Sequence, residues 1–170
     1  MSTVSIDIRR ARLDDAAGIA AVHDQAWRYA YRGILPGIDL ERMVERRGPA
    51  WWSKAIRRHV MVLVLEVDGQ VVGYATVGPS RMRTLPYKGE IYEIYLLPQY
   101  QGLGLGRRLF QAARRTLGDL KFNGLAVRAL RANDGAVGFY RRLGGRTVVE
   151  TGERVGDTVL PVLVFGWDAG

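Results

Sequence analysis

Residues 101–107 read Gln-Gly-Leu-Gly-Leu-Gly-Arg and separate an apolar run, Glu90 to Leu97, from a stretch with helical spacing that runs from about Gly104 to Leu117. A strand, a glycine-rich turn and a helix in this order let the backbone come close to a ligand and point its N–H groups at one place. The helix adds the positive end of its dipole there. The turn is therefore predicted to bind a phosphate or a pyrophosphate.

The spacing of these glycines excludes the two commonest phosphate-binding turns. A dinucleotide-binding fold needs G-x-G-x-x-G, but the residue that should be the third glycine, counted from Gly102 and Gly104, is Arg107. A Walker loop needs G-x-x-x-x-G-K and fails at the same residue. Neither common alternative fits the turn.

The remaining pattern predicts one α/β domain over residues 1–170. Alternating or short apolar runs predict strands at 4–9, 60–67, 71–77, 90–97, 125–130, 146–151 and 158–167. Apolar residues three or four apart predict helices at 13–31, 39–58 with an interruption at Gly48-Pro49, 104–117 and 134–143. The last two strands are predicted to form a hairpin around the segment Gly152 to Gly156. This order predicts a mixed, mostly antiparallel sheet of about seven strands with helices on both faces.

The composition excludes several kinds of chemistry. The chain has no cysteine and two histidines, His23 and His59, which argues against thiol catalysis, a disulfide framework and a metal site. His23 is predicted to lie on a helix surface. No apolar run approaches the roughly 20 residues of a membrane-spanning helix, and the first residues lack the pattern of a signal peptide. We therefore expect a cytoplasmic protein without membrane contacts.

The net charge of +8 is concentrated in one part of the sequence. Between Gln101 and Arg146, ten Lys and Arg residues stand against two acids, whereas the signs balance elsewhere. An anionic ligand explains this excess as well as a nucleic acid does. The aromatic residues of this segment fall where helix and strand cores need them and do not form a stacking platform. A nucleic-acid partner is therefore not expected.

Two motifs resemble the GNAT superfamily of N-acetyltransferases. The first is Gln101-x-x-Gly104-x-Gly106 directly after a strand, followed by Arg-Arg-Leu. The second runs from Asn133 to Gly144, where Asn, Ala and Phe-Tyr precede a basic residue and a helix-ending Gly. Members commonly have Phe after that glycine, but this chain has Gly145. The resemblance implies a single GNAT-like domain with a splay between strands 4 and 5.

The same resemblance implies acetyl-coenzyme A as co-substrate and no metal. Its pantetheine arm would pair with the end of the strand at Ile94 to Leu96, and its pyrophosphate would lie on residues 101–107. Arg142 or Arg141 would meet the ribose phosphate, and Asn133 would cap a helix, bind the arm, or both. The full set of cofactor-binding residues is Ile94, Leu96, Gln101, Gly102, Leu103, Gly104, Leu105, Gly106, Arg107, Asn133, Ala136, Phe139, Tyr140 and Arg142.

Three residues are candidates for proton transfer. Tyr140 is the candidate acid, because a phenol with a pKa of about 10 can return a proton to the leaving thiolate with a modest uphill step. Glu93 and Glu90 are candidate bases for the protonated amine, and regular strand geometry places them on opposite faces unless a bulge intervenes. Glu93 lies nearer in sequence to Leu96 and is slightly favoured.

The sequence indicates only the chemical class of the acetyl acceptor. The resemblance implies a small-molecule amine or the amine of a peptide or protein, in a pocket shaped by Trp27 and Tyr31, and it allows a homodimer. Without a cysteine or an evident activated serine, direct attack of the amine on the thioester is expected. The alternatives are an acyl-coenzyme A sensor without turnover and a basic nucleic-acid-binding module.

Overall fold

A seven-stranded sheet organises residues 3–169, which are the residues that the computed structural model describes. The strands are β1 (Ile6–Arg10), β2 (Met61–Val67), β3 (Gln70–Pro79), β4 (Gly89–Leu96), β5 (Leu125–Leu130), β6 (Arg146–Val155) and β7 (Thr158–Trp167). The helices are α1 (Ala16–Tyr31), α2 (Gly37–Arg46), α3 (Pro49–Arg57), α4 (Leu105–Asp119) and α5 (Asp134–Arg142). The order in the sheet is β1-β2-β3-β4-β5-β7-β6, and every pair is antiparallel except β4-β5.

The sheet opens between its two parallel strands. β4 and β5 pair only from Gly89 to Ile91 on one strand and from Leu125 to Val127 on the other, although both strands continue beyond these residues. The two strands therefore diverge toward their carboxyl ends. This confirms the predicted mixed, mostly antiparallel sheet with a splay between strands 4 and 5.

Helices cover both faces of the sheet, as predicted. Tyr74 of β3 is hydrogen-bonded to His23 of α1. A Cβ on its neighbour Gly73 would lie 3.6 Å from the Leu109 side chain of α4. Because adjacent residues of a strand face opposite sides of the sheet, α1 and α4 lie on opposite faces.

A β-bulge in β4 changes which residues share a face. Thr76 of β3 is opposite Glu93, but the next residue of β3, Val77, is opposite Ile91, so Tyr92 is an extra residue. The bulge brings Glu90 and Glu93 to the same face. Opposite faces were predicted unless a bulge intervened, and the structure has that bulge.

The predicted interruption of the second helical stretch is observed, and one later boundary differs from prediction. The stretch 39–58 divides at Gly48, whose backbone is extended (ψ −175°), so that α3 begins at Pro49. The last hairpin is tighter than predicted: β6 continues through Gly152 to Val155, because β7 offers a partner for every one of these residues, and the turn contains Gly156.

Gly145, where the resemblance led us to expect Phe, lies against the aromatic ring of Trp167 from β7. A Cβ at Gly145 would approach Trp167 Cζ2 to 2.5 Å, and Trp167 Nε1 donates a hydrogen bond of 3.0 Å to the Leu143 carbonyl. Trp167 of β7 therefore fills the space beside the end of α5. Within residues 3–169, no helix is both long enough and apolar enough to cross a membrane.

Candidate active site

A cleft of about 550 Å³ lies where β4 and β5 diverge, between α4, α5 and the later part of α1. It contains most of the residues predicted to bind the cofactor: Ile94, Leu96, Gln101, Gly102, Gly104, Gly106, Arg107, Asn133, Ala136, Phe139, Tyr140 and Arg142. Two predicted residues do not line it. The Leu103 side chain is 67% exposed, and Leu105 is buried, so only the backbone of these residues is available to a ligand at the turn.

The glycine turn is open on the side where a ligand would lie. Gly102 and Gly104 have φ values of 76° and 80°, in the left-handed region that favours glycine. Nothing lies within 4 Å of a Cβ built on either residue. Gly104 is the N-cap of α4, so the free N–H groups of the first turn and the helix dipole point into this space, beside Arg107.

The edge of β4 that faces the cleft presents the backbone N–H groups of Ile94 and Leu96. The Leu97 N–H donates to the Val72 carbonyl of β3 at 2.8 Å. Because successive N–H groups of a strand point to opposite edges, those of Ile94 and Leu96 point away from β3, toward the diverging β5. The Gln101 side chain reaches the Leu96 carbonyl with a long contact of 3.4 Å.

Tyr140 packs in the cleft wall with most of its ring buried. Its ring centroid lies 5.6 Å from that of Phe165 and 6.1 Å from that of Trp167. Burial raises the pKa of the Tyr140 phenol above its ordinary value. The side chain therefore keeps its proton over the working pH range, and it is a weaker acid than the predicted value of about 10 implied.

Glu93 takes part in a buried polar network on the α1 side of the sheet. Its carboxylate forms an ion pair with Arg47 and accepts a 2.8 Å hydrogen bond from the Tyr74 hydroxyl. The Tyr74 oxygen lies 3.0 Å from His23 Nδ1. Burial, followed by the charge of Glu93, raises the pKa of the Tyr74 phenol, so this hydroxyl is a donor to Glu93 and an acceptor for His23.

Glu90 has a different environment on the same face. Its side chain is fully buried, and its carboxylate accepts hydrogen bonds from the Arg81 backbone N–H at 3.0 Å and from Arg81 Nη2 at 2.6 Å. Neither Glu90 nor Glu93 is among the residues that line the cleft. Arg81 holds both oxygens of Glu90 and so ties the loop before β4 to the strand. The Glu90 side chain has no exposed area, whereas that of Glu93 is 12% exposed, so Glu90 is not the base that we favour.

Trp27 and Tyr31 lie behind Tyr95, which lines the cleft. Neither lines it, but Tyr31 and Tyr95 share a hydrogen bond of 2.6 Å between their hydroxyls, and Trp27 packs 5.7 Å from the Tyr95 ring. Tyr95 itself lines the cleft beside Ile94. Tyr95, unlike Trp27 and Tyr31, was not predicted.

His23 is buried rather than on the helix surface, and its ring is sensitive to pH. It has no exposed area, and burial lowers its pKa to about 4. In the unfolded chain the pKa of His23 is near 6.5, so below that pH the unfolded state binds a proton that the folded state does not bind. The protein therefore loses stability as the pH falls from 6.5 toward 4, and this part of the loss is about 2 kcal/mol between pH 7.5 and 5.

Replacing His23 by Asn keeps a donor near Tyr74 and removes the titration. In urea unfolding, we expect His23→Asn to lose about 2 kcal/mol less than the parent protein between pH 7.5 and 5. His59→Asn is the matched control, because His59 is exposed and its φ of 62° suits Asn. An unchanged pH dependence in His23→Asn would contradict the assignment.

Comparison with known proteins agrees with this geometry. The sequence profile of the Acetyltransferase (GNAT) family matches residues 20–145. An uncharacterized N-acetyltransferase of Bacillus subtilis, YuaI, is 30% identical over 95% of this chain and 92% of its own length. The N-alpha-acetyltransferase RimI of Mycobacterium tuberculosis is 42% identical over 47% of this chain and 48% of its own.

The fold is also found in solved structures. The PaiA N-acetyltransferase of Thermoplasma acidophilum, determined in complex with coenzyme A, has a TM-score of 0.75 and is 20% identical, covering 93% of this chain and 98% of its own.

Proposed function

Because this chain belongs to the acetyltransferase (GNAT) family and is an acetyl-coenzyme A-dependent N-acetyltransferase, we propose that it acetylates a primary amine by direct attack in the cleft between β4 and β5. The observation that carries the proposal is the convergence on one cleft of an open glycine turn, a free strand edge and a buried tyrosine. Each of the three suits a different part of acetyl-coenzyme A.

The described residues fit this co-substrate. The glycine turn offers backbone N–H groups and a helix dipole to the pyrophosphate, and Arg107 and Arg142 add positive charge. The free N–H groups of Ile94 and Leu96 can pair with the amide groups of the pantetheine arm as another strand would. Ala136 and Phe139 give that arm an apolar wall.

Two residues of the chain would handle the protons. Bound acetyl-coenzyme A supplies an activated acetyl group. Tyr140 donates its proton to the sulfur as the bond to the acetyl group breaks, and the Leu96 N–H polarises the acetyl carbonyl. Glu93 takes the proton of the amine, directly or through water. It does not line the cleft itself, but it shares a face with Tyr95, which does, and lies roughly 7 Å from it along the strand.

Release of free coenzyme A tests the proposal. The intact protein, acetyl-coenzyme A and a panel of free amino acids, simple amines, diamines and short peptides are assayed one acceptor at a time. We expect release that depends on at least one amine and a product that carries the acetyl group on nitrogen. Tight binding of acetyl-coenzyme A without release for any amine would instead indicate a sensor.

The role of Glu93 is tested by its pH dependence. Glu93→Gln keeps the shape of the side chain and removes the basic oxygen. The acidic limb, in which turnover of the parent rises with pH, should therefore disappear. At a pH high enough for bulk solution to deprotonate the amine, the rate of the variant should approach that of the parent. Glu90→Gln, on the same face of the same strand, is the matched variant and should keep the acidic limb. If both variants keep it, the amine loses its proton to water and neither carboxylate is the base.

A further inference from the structure

Arg47 is held in a fixed position next to the proposed base. It directly follows the last residue of α2, and its guanidinium carbon lies 4.5 Å from the ring centroid of Trp51, 5.9 Å from that of Trp27 and 6.0 Å from that of Trp52. Stacking of a planar cation on aromatic rings restricts its orientation. The group therefore presents its donors in a set direction.

Most of these donors have no protein partner within residues 3–169. A guanidinium has five N–H donors, and Arg47 uses one nitrogen, Nη1, on Glu93. The nitrogens Nε and Nη2 contact no protein acceptor in this part of the chain. The side chain is 28% exposed, so a small molecule can reach it. The edge of the guanidinium formed by Nε and Nη2 has the geometry that binds a carboxylate through two parallel hydrogen bonds.

Glu93 and Arg47 together present a negative and a positive group side by side. Because Arg47 Nη1 is paired with Glu93, an ammonium group bound at Glu93 would lie beside the same guanidinium. A carboxylate on the carbon that bears this ammonium could then accept hydrogen bonds from Nε and Nη2 of Arg47. A diamine would bring a second cation against Arg47, and a peptide N-terminus would offer only a neutral carbonyl.

We infer that Arg47 determines acceptor specificity by binding a carboxylate next to the amine that is acetylated, so that free α-amino acids are the acceptor class. The inference rests on the proposed function.

The test compares acceptors that differ only in the carboxylate. The common L-amino acids are assayed for acetyl transfer, and the best one is compared with its own carboxamide and with the amine that lacks the carboxyl group. We expect kcat/KM for the free acid to exceed that for the carboxamide by about 10²-fold, the size of a charged hydrogen-bond pair.

In the variants, the measured quantity is the ratio of kcat/KM for the free acid to kcat/KM for the carboxamide. A loss of activity that acts through Glu93 lowers both values equally and does not change this ratio. Arg47→Gln should bring the ratio close to 1, and Arg47→Lys, which keeps a charge without the fork, should give an intermediate value. Arg46→Gln is the matched control, because Arg46 is the neighbouring arginine and is exposed. This variant should keep the ratio of the parent. Quenching of tryptophan fluorescence by the amino acid should be lost in parallel in Arg47→Gln, because three tryptophans surround the guanidinium.

A ratio near 1 in the parent protein, or an undiminished ratio in Arg47→Gln, would overturn the inference and leave the proposed function standing. Absence of coenzyme release with every amine would overturn the proposed function and the inference with it.

Discussion

Gly104→Val should abolish the stabilisation of the protein by acetyl-coenzyme A. A ligand that binds only the folded state at about 100 times its Kd adds about 2.7 kcal/mol, which corresponds to a rise in Tm of roughly 5–10 °C for a chain of this size. The valine side chain would occupy the open space at the turn where the pyrophosphate must approach. The rise should therefore fall below about 1 °C in the variant, measured by thermal unfolding with and without the ligand.

Gly69→Val is the control for backbone strain. Gly69 has a φ of 81°, close to the 80° of Gly104, and also has nothing within 4 Å of a built Cβ, but it lies in the β2–β3 turn. Both variants should unfold at a lower temperature without ligand, because valine is strained at positive φ. Only Gly104→Val should lose the ligand-induced rise. A full rise in that variant would place the pyrophosphate elsewhere.

Tyr140→Phe should lower kcat by about 10²-fold and change the affinity for acetyl-coenzyme A little. The ring, which packs on Phe165 and Trp167, stays in place, so the change removes the acidic proton and leaves the wall of the cleft. Steady-state kinetics with a saturating acceptor measure the effect. Since the phenol must be protonated to act and burial raises its pKa, the parent should show no loss of kcat from this group up to about pH 10.

Tyr29→Phe is the matched control for this variant. Tyr29 also lines the cleft but is 66% exposed, so removal of its hydroxyl should leave kcat within about threefold of the parent. Equal turnover in Tyr140→Phe and the parent would make Tyr140 a core residue without a role in proton transfer.

The glycine turn between β4 and α4 was predictable because its signal is local. The glycines, the strand before them and the helix after them lie within about thirty residues, and each element is specified by its own pattern. The bulge at Tyr92 was not predictable in this way. It depends on how β4 pairs with β3, and it reverses the face on which Glu90 lies.

The polar network around Glu93 joins parts of the chain that are far apart in sequence. Arg47 comes from the end of α2 and Tyr74 from β3, and nothing in either local pattern indicates that they meet. His23 did carry a signal: it stands four residues after Ile19 and three before Ala26, on the apolar stripe of α1, and this spacing indicates a buried side chain.

Amide hydrogen exchange along β4 tests the central claim most directly. If acetyl-coenzyme A pairs with the free edge of this strand, its addition should slow the exchange of the Ile94 and Leu96 amides at least tenfold, as measured residue by residue by NMR. The Leu97 amide, already bonded to β3, should change little beyond the general stabilisation. Saturation of the protein with acetyl-coenzyme A without added protection at Ile94 and Leu96 would contradict the claim that the thioester is held in the cleft between β4 and β5.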